Sequence, residues 1–160
     1  MSAIAIAVDD RRWSAVPDLR RVCRRAARAA LRSESADRPI TLLLADDATL
    51  RDLNRRFRAV DTPTNVLAFP SGEDDALDGG AAPLGDVALA FDSVAREARD
   101  QGKTLDAHLC HLIVHGVLHL QGHDHQRDDE ADAMEAVEIA VLARLGIANP
   151  YAPVVRADVR

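Results

Sequence analysis

The chain has 160 residues, a length typical of a single domain and sufficient to bury a hydrophobic core. Apolar residues make up 48% and charged residues 29%, a composition typical of a soluble globular protein. The net charge of −6 excludes a uniformly basic nucleic-acid binder, but residues 1–45 hold nine Arg against five Asp and Glu, so a basic patch is compatible with it. The apolar start, residues 1–8, is too short for a signal peptide or a membrane span. We therefore expect one cytoplasmic domain covering residues 1–160, with no membrane partner.

Strand and helix patterns alternate along the chain without strict βαβ repetition, which predicts an α+β fold. We expect a small mixed sheet of roughly four strands packed with roughly five helices, and a metal cleft formed by the histidine-bearing helix and the turn after it. Asp18 and Ser93 are expected to cap the first and third helices. The predicted strands are residues 4–8, 39–45, 65–69 and 84–91; the helices are 19–31, a short one through Leu50, Leu53 and Phe57, 93–101, 105–121, and one opened by Asp128 or Asp129 and closed by Gly146.

Two other segments carry predictions. Residues 71–83 are rich in Gly, Asp and Ala and are expected to form a mobile loop. The two cysteines, Cys23 and Cys110, do not make a disulfide framework, and each is interpreted as a buried thiol.

All six histidines fall between His108 and His125, and their spacing is typical of a zinc site. His115 and His119 are four residues apart, so one helix face presents both imidazoles to the same point. Gly122 follows three residues later, where the chain can leave the helix through a left-handed turn. His125 is then close enough to bring back a third nitrogen. Three neutral imidazoles leave a fourth zinc position for water, so the pattern predicts one catalytic Zn²⁺ held by His115, His119 and His125.

The same spacing occurs in metzincin proteases, which carry Glu after the first histidine as the general base. Here that position is Gly116, so a peptidase or amidase is disfavoured, although Asp124 is a candidate replacement base. Asp124 is equally typical of a turn. His123 is a rival to His125 as third ligand, and the offset favours His125.

Three further interpretations stay open at this point. His115 and His119 have an alternative as buried, hydrogen-bonded imidazoles. His108 and His111 are either ordinary core or surface histidines or groups that support the metal ligands or approach RNA. Arginines at four-residue intervals in the first helix form a band that either neutralises RNA phosphates or only keeps the surface soluble.

The histidine segment, residues 115–125 (HGVLHLQGHDH), resembles the signature H-G-x-L-H-L-x-G-Y-D-H of the YbeY family of metal-dependent endoribonucleases and rRNA maturation factors. His123 stands where Tyr is usual. Residues 53–58 (LNRRFR), 61–70 (DTPTNVLAFP) and 84–89 (LGDVAL), and the acidic run ending near Asn149–Tyr151, are similar to further blocks of the family. The resemblance therefore extends from about Thr41 to Tyr151 in the family's order.

The resemblance implies a small α+β domain with zinc held by three histidines in a cleft and an arginine across that cleft, which by position is Arg58. It also implies processing of 16S rRNA ends, ribosome quality control, and association with the small ribosomal subunit or with translation or assembly factors; no DNA partner is expected. An arginine beside zinc suits phosphodiester cleavage, because a guanidinium binds phosphate bidentately. A solvated arginine at a helix end is the alternative for Arg58. The leading hypothesis is a single-strand-type zinc endoribonuclease, and the others are a zinc peptidase or amidase and a non-catalytic ribosome-assembly factor with a structural zinc.

Overall fold

Four strands form one mixed sheet in the computed structural model, which describes residues 3–71, 82–122 and 128–152. The strand order is β1-β2-β4-β3, and the first three strands run parallel while β3 pairs antiparallel with β4. Pro70 ends β3, where its missing N–H costs little because β3 is an outer strand. The strands are β1 Ile4–Val8, β2 Ile40–Ala45, β3 Val66–Pro70 and β4 Gly85–Ala90.

Five α-helices accompany the sheet in the described residues, so the predicted α+β class with a four-stranded mixed sheet is confirmed. The predicted loop 71–83 lies almost wholly outside the described residues, as do His123, Asp124 and His125. The helices are α1 Leu19–Ala30, α2 Asp47–Arg58, α3 Phe91–Asp100, α4 Leu105–Leu120 and α5 Asp128–Arg144, with short 3-10 turns at Arg11–Ala15 and Ser33–Ser35.

The two predicted helix caps differ in outcome. Asp18 occupies the cap position before α1, as predicted, but it adopts a left-handed conformation, with φ of 53°, and its side chain makes no capping hydrogen bond. Ser93 lies inside α3, which begins at Phe91. The N-termini of α2 and α3 instead satisfy each other: the Asp47 carboxylate accepts from the Ser93 N–H at 2.9 Å, and the Asp92 carboxylate accepts from the Asp47 N–H at 3.1 Å. This exchange between elements has no local sequence pattern.

The expected apolar side of α2 is also corrected. Leu50 is buried and Leu53 is half-buried, but the Phe57 side chain is 67% exposed and packs edge-on against Phe69 of β3, with 5.5 Å between ring centroids. Phe57 thus covers the outer strand rather than entering the core.

Helix α4 occupies the centre of the main core, where it packs against α1, α3, α5, β3 and β4. Its close approach to the sheet depends on Gly116. A Cβ atom at that position would lie 2.7 Å from Cγ1 of Val87 in β4, well inside van der Waals contact. The glycine therefore allows the histidine helix to pack closely against β4, and this close packing sets the distance of the α4 imidazoles from the sheet.

Candidate metal site

Two of the three predicted metal ligands lie together on α4. The imidazole centroids of His115 and His119 are 4.7 Å apart, with the ring planes at 73°. This geometry follows from the four-residue spacing, because one turn of helix separates the two side chains on one face. Both rings are half-buried, so they are held in place and still accessible.

A buried glutamate on α5 holds the first of these imidazoles. Glu138 is only 1% exposed, and its Oε2 accepts a hydrogen bond from Nδ1 of His115 at 3.1 Å. Its Oε1 accepts from Nε2 of His111 and from the Tyr151 hydroxyl, each at 2.8 Å. Two donors from α4 and one from the segment after α5 therefore converge on one carboxylate of α5.

These hydrogen bonds decide the charge of Glu138. Burial by itself raises the pKa of a carboxyl group, but donation from His111, His115 and Tyr151 outweighs it and lowers the pKa of Glu138 to about 2. Glu138 is thus an ionised acceptor at neutral pH. Burial, together with the same contact, raises the pKa of Tyr151, which stays a hydroxyl donor.

An ionised Glu138 also sets the tautomer of His115. Because the carboxylate only accepts hydrogen bonds, Nδ1 of His115 carries the proton and the ring's lone pair is on Nε2. Zinc-binding histidines are oriented in this way, with one ring nitrogen donating to a carboxylate and the other facing the metal. The donor set around His115 therefore fits a zinc ligand.

The third ligand of the predicted triad lies outside the part of the chain that the structure describes. Neither His125, nor its rival His123, nor the candidate base Asp124 belongs to residues 3–71, 82–122 or 128–152. Within those residues, no group of three His, Cys, Asp or Glu side chains is arranged to hold a metal. The triad His115, His119 and His125 accordingly stays a prediction that the described residues support at two of its three positions.

Histidines 108 and 111 have structural partners. His108 is 3% exposed, and its Nε2 lies 2.8 Å from Oε1 of Glu97, which also accepts from Nδ2 of Asn65 at 2.9 Å. Burial lowers the pKa of His108, so it is a neutral, hydrogen-bonded core histidine. His111 donates to Glu138 and so supports the group that orients His115.

Arg58 ends α2 and is attached to the sheet. Its Nη2 donates to the carbonyl oxygen of Ala68 in β3 at 2.9 Å, and its guanidinium carbon lies 5.8 Å from the Phe69 ring centroid. Because β3 also packs on α4, the arginine is tied to a strand that contacts the histidine helix. Arg58 is an exposed residue, and its catalytic role stays a prediction.

A depression of about 310 Å³ adjoins His115, between α4, α5 and Tyr151. It is lined by Ala131, Met134 and Glu135 as well as by Glu138 and Tyr151. Sequence reasoning missed Glu138, although one signal was present: the residue stands four after buried Met134, on the apolar side of α5. An acidic residue at a core-facing position needs a partner, and the neighbouring histidine helix supplies it.

Fold and site together define a small α+β domain in which a central helix carries an imidazole pair supported by a buried carboxylate. The family model described as "Endoribonuclease YbeY" matches residues 6–146. The chain therefore belongs to the YbeY family, as the resemblance in the sequence predicts.

Within the described residues, none of the helices is both long enough and apolar enough to cross a membrane.

Similar proteins cover most of the chain. It is 49% identical over 155 residues to Endoribonuclease YbeY of Azorhizobium caulinodans, covering 93% of this chain and 96% of that relative. It is 48% identical over 157 residues to Endoribonuclease YbeY of Paramagnetospirillum magneticum, covering 92% and 94%. The solution structure of TM1509 from Thermotoga maritima shares the fold, with a TM-score of 0.54 at 22% identity over 89% of this chain and 91% of that one.

Proposed function

We propose that this protein is a zinc-dependent endoribonuclease that cleaves single-stranded segments of ribosomal RNA precursors in the cytoplasm, in 16S rRNA maturation and ribosome quality control. The observation that carries the proposal is the Glu138–His115 contact, which orients an imidazole for a metal beside His119. Family membership supplies the substrate class, since its relatives carry the name endoribonuclease. The partners that follow are rRNA, the small ribosomal subunit, and translation or assembly factors.

His115, His119 and the predicted third ligand His125 would hold the zinc ion. When bound, zinc supplies hydroxide at neutral pH and polarises a phosphoryl oxygen. Glu138 keeps Nδ1 of His115 protonated and so keeps Nε2 directed away from the carboxylate. Arg58 is suited to bind a substrate phosphate and to stabilise the additional negative charge of the transition state. Asp124 is the candidate to accept a proton from the attacking water.

Gly116 disfavours the peptidase or amidase hypothesis. The glutamate base of the metzincin spacing would occupy this position, but even a Cβ atom there would lie 2.7 Å from Val87. The packing of α4 on β4 therefore accounts for the glycine and leaves the metal ligands without a neighbouring base of that kind.

The test combines metal analysis with RNA cleavage. Protein prepared without a histidine tag is assayed for bound metals and for cleavage of a precursor rRNA fragment, beside His119→Ala and Arg58→Gln variants purified identically. We expect zinc and cleavage in the wild type, loss of both in His119→Ala, and loss of cleavage with zinc retained in Arg58→Gln. Cleavage that persists in His119→Ala or in excess chelator would contradict the proposal. Normal rRNA maturation in cells carrying a folded Arg58 variant would favour the non-catalytic assembly factor.

A further inference from the structure

Helix α1 carries an unusual concentration of positive charge. Five of its twelve residues are arginine and none is acidic. The apolar side, with Cys23, Ala26 and Ala30, is buried in the core, so the arginines are forced to the opposite side. We call them the α1 arginine band; its members are Arg20, Arg21, Arg24, Arg25 and Arg28.

Most of the α1 arginine band is not neutralised by the protein itself. Arg21, Arg24, Arg25 and Arg28 make no ion pair within 4.0 Å and no side-chain hydrogen bond to any part of the chain that the structure describes. Four arginines elsewhere differ, since Arg12, Arg51, Arg55 and Arg56 each pair with an aspartate at 3.1 Å or less. In a chain of net charge −6, this leaves one surface with uncompensated positive charge.

The band lines a shallow surface depression of about 890 Å³, separate from the depression beside His115. All five arginines contribute to its wall, with Asp18 as its acidic member and Ser14, Val16 and Leu19 as the remainder. Arginines four apart repeat about every 6 Å along a helix, so they present a row of guanidinium groups to an extended polyanion.

The direction of α1 connects this row to the candidate metal site. Near its start, Arg21 and Arg25 share a groove with Thr104 and Asp106 at the beginning of α4. At its end, the Gln121 side chain donates to the Ala30 carbonyl and accepts from the Arg32 N–H, each at 2.8 Å. Helices α1 and α4 therefore run side by side in the same direction, and the arginine row leads to the end of α4 that carries His119.

We propose that the α1 arginine band binds the sugar-phosphate backbone of RNA and directs the strand toward the histidine end of α4. This inference rests on the proposed endoribonuclease function and deepens it by naming a binding surface outside the cleft. Phosphate contacts position a strand but do not read its sequence. Aromatic residues make up only 3% of the chain, so base stacking contributes little and binding by this surface is sequence-independent.

The test measures salt dependence of RNA binding. Zinc-loaded protein is titrated into a labelled, single-stranded 2′-O-methyl RNA across a series of KCl concentrations, with probe integrity checked on a gel. The test variant is Arg24→Gln/Arg28→Gln, and the matched control is Arg96→Gln/Arg99→Gln, which removes two exposed arginines from α3. Gln keeps helix propensity, and circular dichroism of each variant verifies folding.

Log K falls with log salt, and each lost phosphate contact to a single strand makes this slope less steep by about 0.7. The slope of the α1 variant should therefore be less steep than that of the wild type by about 1.4. The α3 control should keep the wild-type slope, and Arg24→Lys/Arg28→Lys should restore most of it, because charge is retained. An unchanged slope in the α1 variant, or an equal loss in the α3 control, would overturn the inference. If cleavage by the wild type is metal-dependent in that case, the proposed function stands; a wild type that neither binds nor cleaves RNA would overturn both.

Discussion

Glu138→Gln tests the link between buried charge and metal binding, because it keeps the side-chain shape and removes the negative charge. In the wild type, three donors converge on the carboxylate, from His111, His115 and Tyr151. An amide offers one accepting oxygen, and its NH₂ group faces a donor. At least one hydrogen bond to a charged group is therefore lost in a site that is 1% exposed.

The expected magnitudes follow from that loss. Removing one hydrogen bond to a buried charged group costs about 1.5–3 kcal/mol of unfolding free energy. Without the carboxylate, His115 is no longer held with its proton on Nδ1, and loss of such a supporting group typically weakens metal binding roughly 10–100-fold. We expect both effects in the same variant, measured by urea unfolding and by competition with a zinc chelator.

The matched control is Asp132→Asn, which removes one negative charge from an exposed position of the same helix. It should change unfolding free energy by less than about 0.5 kcal/mol and leave zinc affinity unchanged. If Glu138→Gln binds zinc as tightly as the wild type while Asp132→Asn behaves as expected, Glu138 does not orient a metal ligand. Equal weakening in both variants would indicate a general charge effect and would also refute the reasoning.

Three further outcomes are expected. Gly116→Ala should lose about 1–3 kcal/mol of unfolding free energy, since its Cβ would press on Val87; wild-type stability in urea would contradict the packing argument. Burial raises the pKa of Cys23 to about 12 and that of Cys110 to about 11. Neither thiol should therefore react with a thiol reagent at neutral pH until urea unfolds the chain, and rapid labelling of the native protein would contradict this expectation. Burial lowers the pKa of His108 below its usual 6.5. The contribution of the neutral imidazole to the unfolding free energy is therefore fully present above pH 6.5 and is lost as the pH falls through the lowered pKa. His108→Gln should flatten the acid side of the curve of unfolding free energy against pH, and an unaltered curve would count against a neutral buried imidazole.

Much of the fold could be predicted because apolar patterns are local. Alternation in residues 4–8 and the largely apolar run of 40–45 identify strands, and the boundaries of α1 and α4 fall within a few residues of the predicted ones. The error at Ser93 has a tertiary cause. A cap depends on which donor is left unsatisfied, and at α3 the Ser93 N–H is satisfied by Asp47, which belongs to another helix far away in the chain.

The candidate site likewise has a part that the sequence could predict and a part that only the packing of helices determines. Four-residue spacing is a helical property, so sequence alone placed His115 and His119 on one face. No spacing rule relates Glu138 to His115, which is 23 residues away, or Tyr151 to Glu138; the packing of α5 on α4 brings them together. The glycine at 116 illustrates both levels, since the sequence indicates a missing base and only the structure shows that Val87 excludes a side chain there.

The sequence by itself determined the secondary elements, the family and the imidazole pair, because each depends on residues close together along the chain. Tertiary structure alone showed which partners these histidines have: His108 lies against Glu97 and His111 against Glu138, while Glu138 also contacts Nδ1 of His115. The physical reason is desolvation. A carboxylate enters a core only where several donors converge on it, and donors from different elements converge only when the chain has folded.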